Sequence, residues 1–258
     1  MRSPQIFGGI MAGHSKWSQI KRKKGVADAK RGKLFTRVAR EIIIAAREGG
    51  GDINSNARLR TAVQTARGVN MPKDNIDKAI KKGAGENDGI IYEEIVYEGY
   101  GHNGVAIIVE TMTDNRNRTV AEIRHIFSKH GGNLGENGAV SWNFEQKGTI
   151  EIKSQDIDED DFILQALDLG ADDVEKSDDT YIVYTALTDF YKVVTAFEEN
   201  GFHIEKAELT RLPKNIINAD NVAEKLLKLL DKLEDLDDVQ KVYANFEISD
   251  EVLSKLSE

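Results

Sequence analysis

The chain has 258 residues, a formal net charge of −9 and no cysteine. The lack of cysteine excludes disulfides, thiolate nucleophiles and cysteine-ligated zinc, and it fits a reducing cytoplasm. The apolar runs are far too short to span a bilayer, and the first ten residues lack the apolar segment of a signal peptide. We therefore expect a cytoplasmic protein of one to three domains that does not contact a membrane.

Charge is divided unevenly along the chain. From His14 to Lys82 there are 18 Lys and Arg residues against 6 Asp and Glu, a net charge of +12. From Gly83 to Glu258 there are 16 against 38, a net charge of −22. Such a division predicts a basic module that contacts a polyanion, attached to an acidic body that does not. Residues 1–11 precede this module and are predicted to be a leader or remnant.

The first predicted helix runs from Lys33 to Glu48. Apolar residues recur there every three or four positions, so one side of the helix is expected to pack inward. The opposite side carries four cations within about 80° of each other. These cations, called the basic stripe below, are Lys33, Arg37, Arg40 and Arg47. We expect the basic stripe to face solvent and to contact phosphates.

Two more helices complete a small basic bundle. The second ends near Gly68 and carries Arg60 and Arg67 on its outward side. The third begins at Pro72, a residue suited to a first helical turn, and ends at Gly83.

The hydrophobic period then changes to that of strands. Gly99, Gly101 and Gly104 match the pattern G-x-G-x-x-G, but a second β-branched strand follows them instead of a helix. This favours a hairpin turn over a dinucleotide site. The next helix is predicted to start near Thr119, which has capping-box spacing to Glu122.

The remaining elements predict two sheet units. Residues 139–153 are predicted to form another strand pair, and from residue 149 the order strand, helix, strand, strand, helix, strand is that of a ferredoxin-like unit. A final helix at 219–235 and strand at 239–247 could complete the middle unit. The predicted fold is thus α+β, with a basic three-helix bundle at 12–86, a split α/β two-layer domain at 87–147 and 212–258, and an inserted ferredoxin-like (βαββαβ) domain at 148–211.

The sequence contains segments that partly resemble enzyme or metal-binding motifs, but their residue spacings do not match those motifs. Gly25 and Gly32 have six residues between them, where a phosphate loop needs four. The segment from Asp156 to Asp161 lacks the glycine and terminal glutamate of a calcium loop. His125 and His130 lie about 140° apart on their helix, so they do not face one metal. We therefore predict no catalytic residues, no metal, no cofactor and no small-molecule substrate.

Cations and one indole are the candidates for nucleic-acid contact. Trp17 lies in a lysine-rich arm and could stack on a base or anchor the arm to its own bundle. Arg116 and Arg118 lie beside a predicted helix start and could bind an anion there or merely flank the cap. The predicted nucleic-acid-binding residues are Lys16, Trp17, Lys21, Arg22, Lys23, Lys24, Lys30, Arg31, Lys33, Arg37, Arg40, Arg47, Arg60, Arg67, Arg116 and Arg118.

Several long motifs together resemble one family. They are AGHSKW, KRGKLFTRVAREI, NMPKDNIDKAIKKGAG, YEGYG, GVAIIVETMTDNRNRTVAEIRHIFSKHGGNLGENGAV and FEQKG. Their order resembles that of the YebC/PmpR family, whose mitochondrial relative is the translational activator of cytochrome c oxidase. The resemblance extends from Met11 to the C-terminus. It departs at His102 and Asn103, where relatives usually have Pro-Gly, and at Trp142, a strand position often held by a smaller or non-indole residue.

The resemblance implies a three-domain α+β protein of the cytoplasm with no catalysis and a role in gene expression. It places DNA-binding transcriptional regulation first. The alternative is a ribosome-associated translation factor that binds ribosomal RNA or tRNA and relieves stalling at proline-rich stretches. The residues themselves keep this alternative open, because no helix presents the row of Arg, Asn or Gln side chains that favours reading of the major groove.

Overall fold

The structure is a computed structural model, and it describes residues 28–85, 91–154, 158–177 and 179–257. The described chain forms a group of helices and two four-stranded sheets. Three large apolar cores occur, one in the helical group and one with each of these sheets. The predicted α+β class is therefore confirmed.

The bounds of the elements are as follows. The helices are α1 (Asp28–Gly49), α2 (Ala57–Gly68), α3 (Lys73–Gly83), α4 (Arg116–Lys129), α5 (Glu159–Asp168), α6 (Phe190–Glu199), α7 (Ala223–Glu234) and α8 (Asp250–Ser257). The strands are β1 (Glu93–Tyr100), β2 (Ala106–Thr113), β3 (Asn133–Leu134), β4 (Phe144–Lys153), β5 (Asp173–Ser177), β6 (Thr180–Ala186), β7 (Ile204–Pro213), β8 (Ile217–Asn218), β9 (Val239–Ala244) and β10 (Phe246–Glu247).

Helices α1, α2 and α3 form the helical group at the N-terminal end of the described chain. Their apolar faces meet in a core that includes Ile42, Leu59 and Ile76. Helices α1 and α3 cross closely, because a Cβ atom at Gly83 would lie only 2.3 Å from the carbonyl oxygen of Ile43. The three predicted helices are therefore present, and α1 begins earlier than predicted.

The first sheet has the strand order β3-β1-β2-β9 and is antiparallel throughout. Strand β9 pairs with β2, and α7 packs beside α4 through a core that includes Ile123, Phe127 and Leu226. The closing helix and strand thus supply the partners that the middle unit lacked. In the β1–β2 turn Asn103 has φ 59°, a left-handed conformation that asparagine tolerates.

The second sheet has the order β5-β6-β4-β7, with α5 between β4 and β5 and α6 between β6 and β7. This is the predicted ferredoxin-like arrangement. Its core is aromatic, and the rings of Phe162 and Tyr181 stack with centroids 4.1 Å apart. Strands β4 and β7 each extend past the predicted domain boundaries at residues 147 and 211, and those boundaries stay predictions.

Two expectations about residues 139–153 are wrong: the strand pair there and the strand position of Trp142. Residues 139–153 do not form a strand pair, because a 3₁₀ turn at Ser141–Asn143 leads into the single strand β4. Trp142 lies in that turn, where it is 64% exposed and its indole nitrogen donates to the carbonyl oxygen of Ala139 at 3.0 Å. The short parallel pair β8–β10 and helix α8 were not predicted.

Candidate nucleic-acid interface

Most of the basic stripe lies against the C-terminal end of α7. Its side chains donate hydrogen bonds to backbone carbonyls there: Lys33 to Asp235 at 2.7 Å, Arg37 to Glu234, and Arg40 to Asp237. Carbonyls at a helix C-terminus lack intrahelical donors and carry the negative end of the helix dipole, so they attract cations. The prediction that the stripe faces solvent is therefore wrong for Arg37 and Arg40, while Lys33 stays partly exposed. Arg47 is exposed in the last turn of α1.

Asp238 joins this contact to the first sheet. It is 2% exposed and lies 3.2 Å from the guanidinium of Arg40 and 2.7 Å from that of Arg118. The hydroxyls of Thr113 and Thr119 donate to it at 3.0 and 2.7 Å. Burial alone would raise the pKa of Asp238, but the hydrogen bonds and the charge of Arg40 hold that pKa below its ordinary value. Asp238 is therefore a buried carboxylate shared by two predicted site residues.

The strand-to-helix junction differs from its prediction. Helix α4 begins at Arg116, and its N-cap is Asn115, whose side chain accepts from the backbone amide of Arg118 at 3.1 Å. The predicted start at Thr119 is wrong, since Thr119 is buried inside the first turn. Arg118 also pairs with Asp114 at 2.9 Å, so its guanidinium contacts two carboxylates, those of Asp114 and Asp238. Arg116 and Arg118 are both exposed, but Arg118 is held by these two carboxylates.

Arg60 connects the helical group to α6. It donates to the hydroxyl of Thr195 at 2.9 Å and lies 3.7 Å from Glu198. The prediction that Arg60 faces outward is therefore wrong, because it is bound across an internal contact. Arg67 is exposed, as predicted.

The remaining predicted residues belong to the N-terminal arm and the start of α1. Lys30 and Arg31 lie in α1, and the guanidinium of Arg31, which is exposed, lies 5.7 Å from the ring centre of Phe35. The arm residues lie outside the described part of the chain: Lys16, Trp17, Lys21, Arg22, Lys23 and Lys24.

A basic patch on the acidic body was not predicted from the sequence. It forms where the end of α4 meets α7, and it contains His125, Lys129, His130, Lys228 and Lys232. Partial burial and then the positive charges of Lys228, Lys129, Lys232 and His125 lower the pKa of His130. The two helices are distant in sequence, so no local pattern could have predicted the patch.

A cavity of about 690 Å³ lies between the helical group and the two sheets. Most of the charged side chains that line it are paired with one another. Arg58 contacts Glu41, Glu48 and Glu94 at 2.9, 2.6 and 2.7 Å. The other two pairs are Arg211 with Glu110 at 2.7 Å and Lys241 with Glu208 at 2.8 Å. Arg37 also lines the cavity and donates to the backbone carbonyl of Glu234, and much of the remaining lining is apolar.

The remaining chemistry concerns the described ranges, residues 28–85, 91–154, 158–177 and 179–257. These contain no group of three or more His, Asp or Glu side chains that could hold a metal ion. Asp158, an acidic residue of the segment with partial resemblance to a calcium loop, is the N-cap of α5, and its side chain accepts from the amide of Asp160 at 3.0 Å. No helix in these ranges has the length and apolar character needed to cross a membrane.

Comparison with known proteins places the chain in one family. The model of the TACO1/YebC N-terminal domain matches residues 15–86, and that of the TACO1/YebC second and third domain matches residues 92–246. A solved structure, a conserved hypothetical protein Aq1575 of Aquifex aeolicus, is similar with a TM-score of 0.77 and 50% sequence identity. The match covers 88% of this chain and 94% of the Aquifex aeolicus protein.

Curated relatives are similar over nearly the whole length. A protein of Dictyoglomus turgidum named "Probable transcriptional regulatory protein" is 57% identical over 249 residues, which are 96% of this chain and 100% of the relative. A protein of Persephonella marina with the same name is 54% identical over 250 residues, again 96% of this chain and 100% of the relative. Because the two domain models match most of the chain and these relatives match 96% of it, the chain belongs to the TACO1/YebC family.

Proposed function

We propose that this protein is a non-enzymatic regulator of gene expression that binds nucleic acid, with duplex DNA as the first candidate ligand. The observation that carries the proposal is the charge division, +12 from His14 to Lys82 against −22 in the rest of the chain from Gly83. The names of the relatives, which describe probable transcriptional regulatory proteins, support it.

Exposed cations on the described helices supply phosphate contacts in this proposal. On the helical group they include Arg67, Lys73, Lys78 and Lys81, and on the body Arg116. Each cation that neutralises a phosphate releases a condensed counterion, so binding is driven by charge and weakened by salt. Phosphate contacts position a protein on nucleic acid without reading its sequence.

Structured RNA is the second candidate ligand. The described helices present no row of Arg, Asn or Gln side chains of the kind that reads base edges in the major groove, which favours a ligand recognised by its phosphates and shape. Ribosomal RNA or tRNA would then be the target, and the protein would act on translation.

Fluorescence anisotropy at several salt concentrations tests the proposal. The full chain is titrated against a random-sequence duplex and against a structured RNA hairpin with the same number of phosphates. We expect the logarithm of the affinity for duplex to fall linearly with the logarithm of salt concentration, by about 0.9 per phosphate contact. The double variant Lys78→Gln with Lys81→Gln should flatten this slope by at most about two units.

The matched control is Lys153→Gln with Lys192→Gln, which removes two exposed lysines from the second sheet and α6. Its slope should equal that of the unmodified chain. If neither nucleic acid binds at low salt, the proposal is wrong. Affinity for the hairpin more than about tenfold above that for the duplex, a difference of about 1.4 kcal/mol, would put RNA first.

A further inference from the structure

The helical group docks on the rest of the molecule mainly through polar contacts. Its apolar core is separate from those of the two sheets. Most of the described contacts that cross between them are ion pairs and hydrogen bonds: the basic stripe with the end of α7, Arg58 with Glu94, Arg60 with Thr195, and Gln64 with Glu198. The ring of Tyr92, just before β1, also packs on the helical core and lies 5.6 Å from the guanidinium of Arg40. Interfaces of this kind within a chain resemble transient protein–protein contacts, which open and close.

The partner of the basic stripe is a short polyanion. Residues 234–238 read EDLDD and carry four carboxylates in five positions. We call them the acidic segment. Lys33 lies 3.6 Å from Asp237, whose side chain is 73% exposed, and Arg40 lies 3.2 Å from Asp238. A row of closely spaced oxygens, some charged, faces a row of cations, which is the arrangement that a nucleic-acid backbone would offer.

The contact between the basic stripe and the end of α7 leaves two hydrogen-bond donors without acceptors. The Nε atoms of Arg37 and Arg40 are buried without a hydrogen-bond partner. Next to the stripe, the cavity between the helical group and the sheets is lined by Arg37 and Leu34 from α1. Well-packed permanent interfaces bury few unsatisfied groups and few voids. The contact is therefore held by charge more than by packing, and a competing polyanion can replace it.

We propose that the acidic segment occupies the basic stripe in place of nucleic-acid phosphates, and that nucleic acid displaces it and releases the helical group from the end of α7. The inference rests on the proposed function and adds a mechanism that regulates the binding of nucleic acid. A tethered competitor lowers the apparent affinity, because only the fraction of molecules with an open stripe can bind through it. Weakening the competitor should therefore tighten binding, and binding should change the distance between the helical group and α7.

The first test weakens the competitor. The variant Asp235→Asn with Asp237→Asn removes two negative charges from the acidic segment and leaves the buried Asp238 in place. We expect it to bind the random-sequence duplex about three- to tenfold more tightly than the unmodified chain. The control Asp168→Asn with Glu205→Gln makes the same change in net charge at exposed positions of the ferredoxin-like unit, and its affinity should stay within about twofold of the unmodified chain.

The second test measures opening directly. The chain has no cysteine, so Asp77→Cys on α3 and Lys225→Cys on α7 give two sites for spin labels. The distance between the labels should increase when duplex is added to saturation. An unchanged distance at saturation, or equal affinities of the acidic-segment variant and its control, would overturn the inference while the proposed function stands. If the unmodified chain binds neither duplex nor RNA hairpin, the proposed function fails and the inference fails with it.

Discussion

At the scale of single residues, Asp238 holds two of the predicted nucleic-acid-binding arginines, Arg40 and Arg118, in ion pairs within the protein. It is buried, yet its pKa is lowered because Arg118, two threonine hydroxyls and Arg40 all favour the charged form. Removing one partner of a buried charge is costly, because the other is left without compensation. Arg118 therefore acts first as a structural counterion, although part of its side chain is exposed like that of Arg116.

We predict that Arg118→Ala lowers the free energy of unfolding by about 1–3 kcal/mol, since it leaves Asp238 with Arg40 as its remaining guanidinium. Arg116→Ala, the matched control in the same turn, should change that free energy by less than about 0.5 kcal/mol. Urea denaturation of the full chain measures both. Equal effects of the two substitutions would show that the Asp238 network does not contribute to stability.

At the scale of elements, α1 is buried on more than one side. Five consecutive residues, 42–46, are buried, although a helix with a single inward face would expose some of them. Part of this burial comes from α3, which approaches α1 closely at Gly83. The basic stripe is presented by a helix whose position depends on that crossing, so a change at Gly83 should act on the whole helical group.

We predict that Gly83→Ala lowers the free energy of unfolding by about 1–3 kcal/mol, because overpacking forces helices apart. The added Cβ would lie 2.3 Å from the carbonyl oxygen of Ile43 and 2.7 Å from the Cβ of Ala46. Gly68→Ala at the end of α2 is the control, since no atom beyond its chain neighbours and its own helix backbone lies within 4 Å of its Cβ position. Thermal unfolding followed by circular dichroism should show a lower Tm for the first variant and little change for the second.

At the scale of the whole molecule, three large cores support three units. The helical group contacts the other two mainly through polar groups, whereas the two sheets also share a small apolar cluster in which Phe144 of β4 packs with Ala106 and Ile108 of β2. The strongly basic unit and the acidic units attract each other, and the acidic segment is where that attraction is concentrated. The basic patch formed by α4 and α7 lies on the acidic body, so a ligand that contacts the helical group could also contact the body.

We predict that a fragment of residues 12–84 binds duplex DNA more tightly than the full chain, because it lacks the acidic segment. A fragment of residues 88–258 should bind far more weakly than either. Anisotropy at one salt concentration measures the three affinities, with circular dichroism to confirm that each fragment is folded. Binding by the second fragment as tight as that of the full chain would show that the patch on α4 and α7 is the main contact.

Local patterns in the sequence predicted much of this fold. The helical period of α1, the glycine that ends α3, and the strand and helix order of the ferredoxin-like unit all depend on neighbours a few residues away. The start of α4 was missed because Thr119 has the spacing of a cap, while its hydroxyl is used by the distant Asp238. The family resemblance, which depends on motifs, was confirmed.

The sequence by itself determined the α+β class, the family and the division of charge, because each depends on composition or on short-range order. Only the tertiary structure decided which cations are open to solvent. Arg37 and Arg40 meet carbonyl groups that lie 197 residues further along the chain, and no periodicity spans such a separation. A side of a helix that is polar in sequence can face water or face another part of the protein, and burial against that part, not residue type, sets what it can bind.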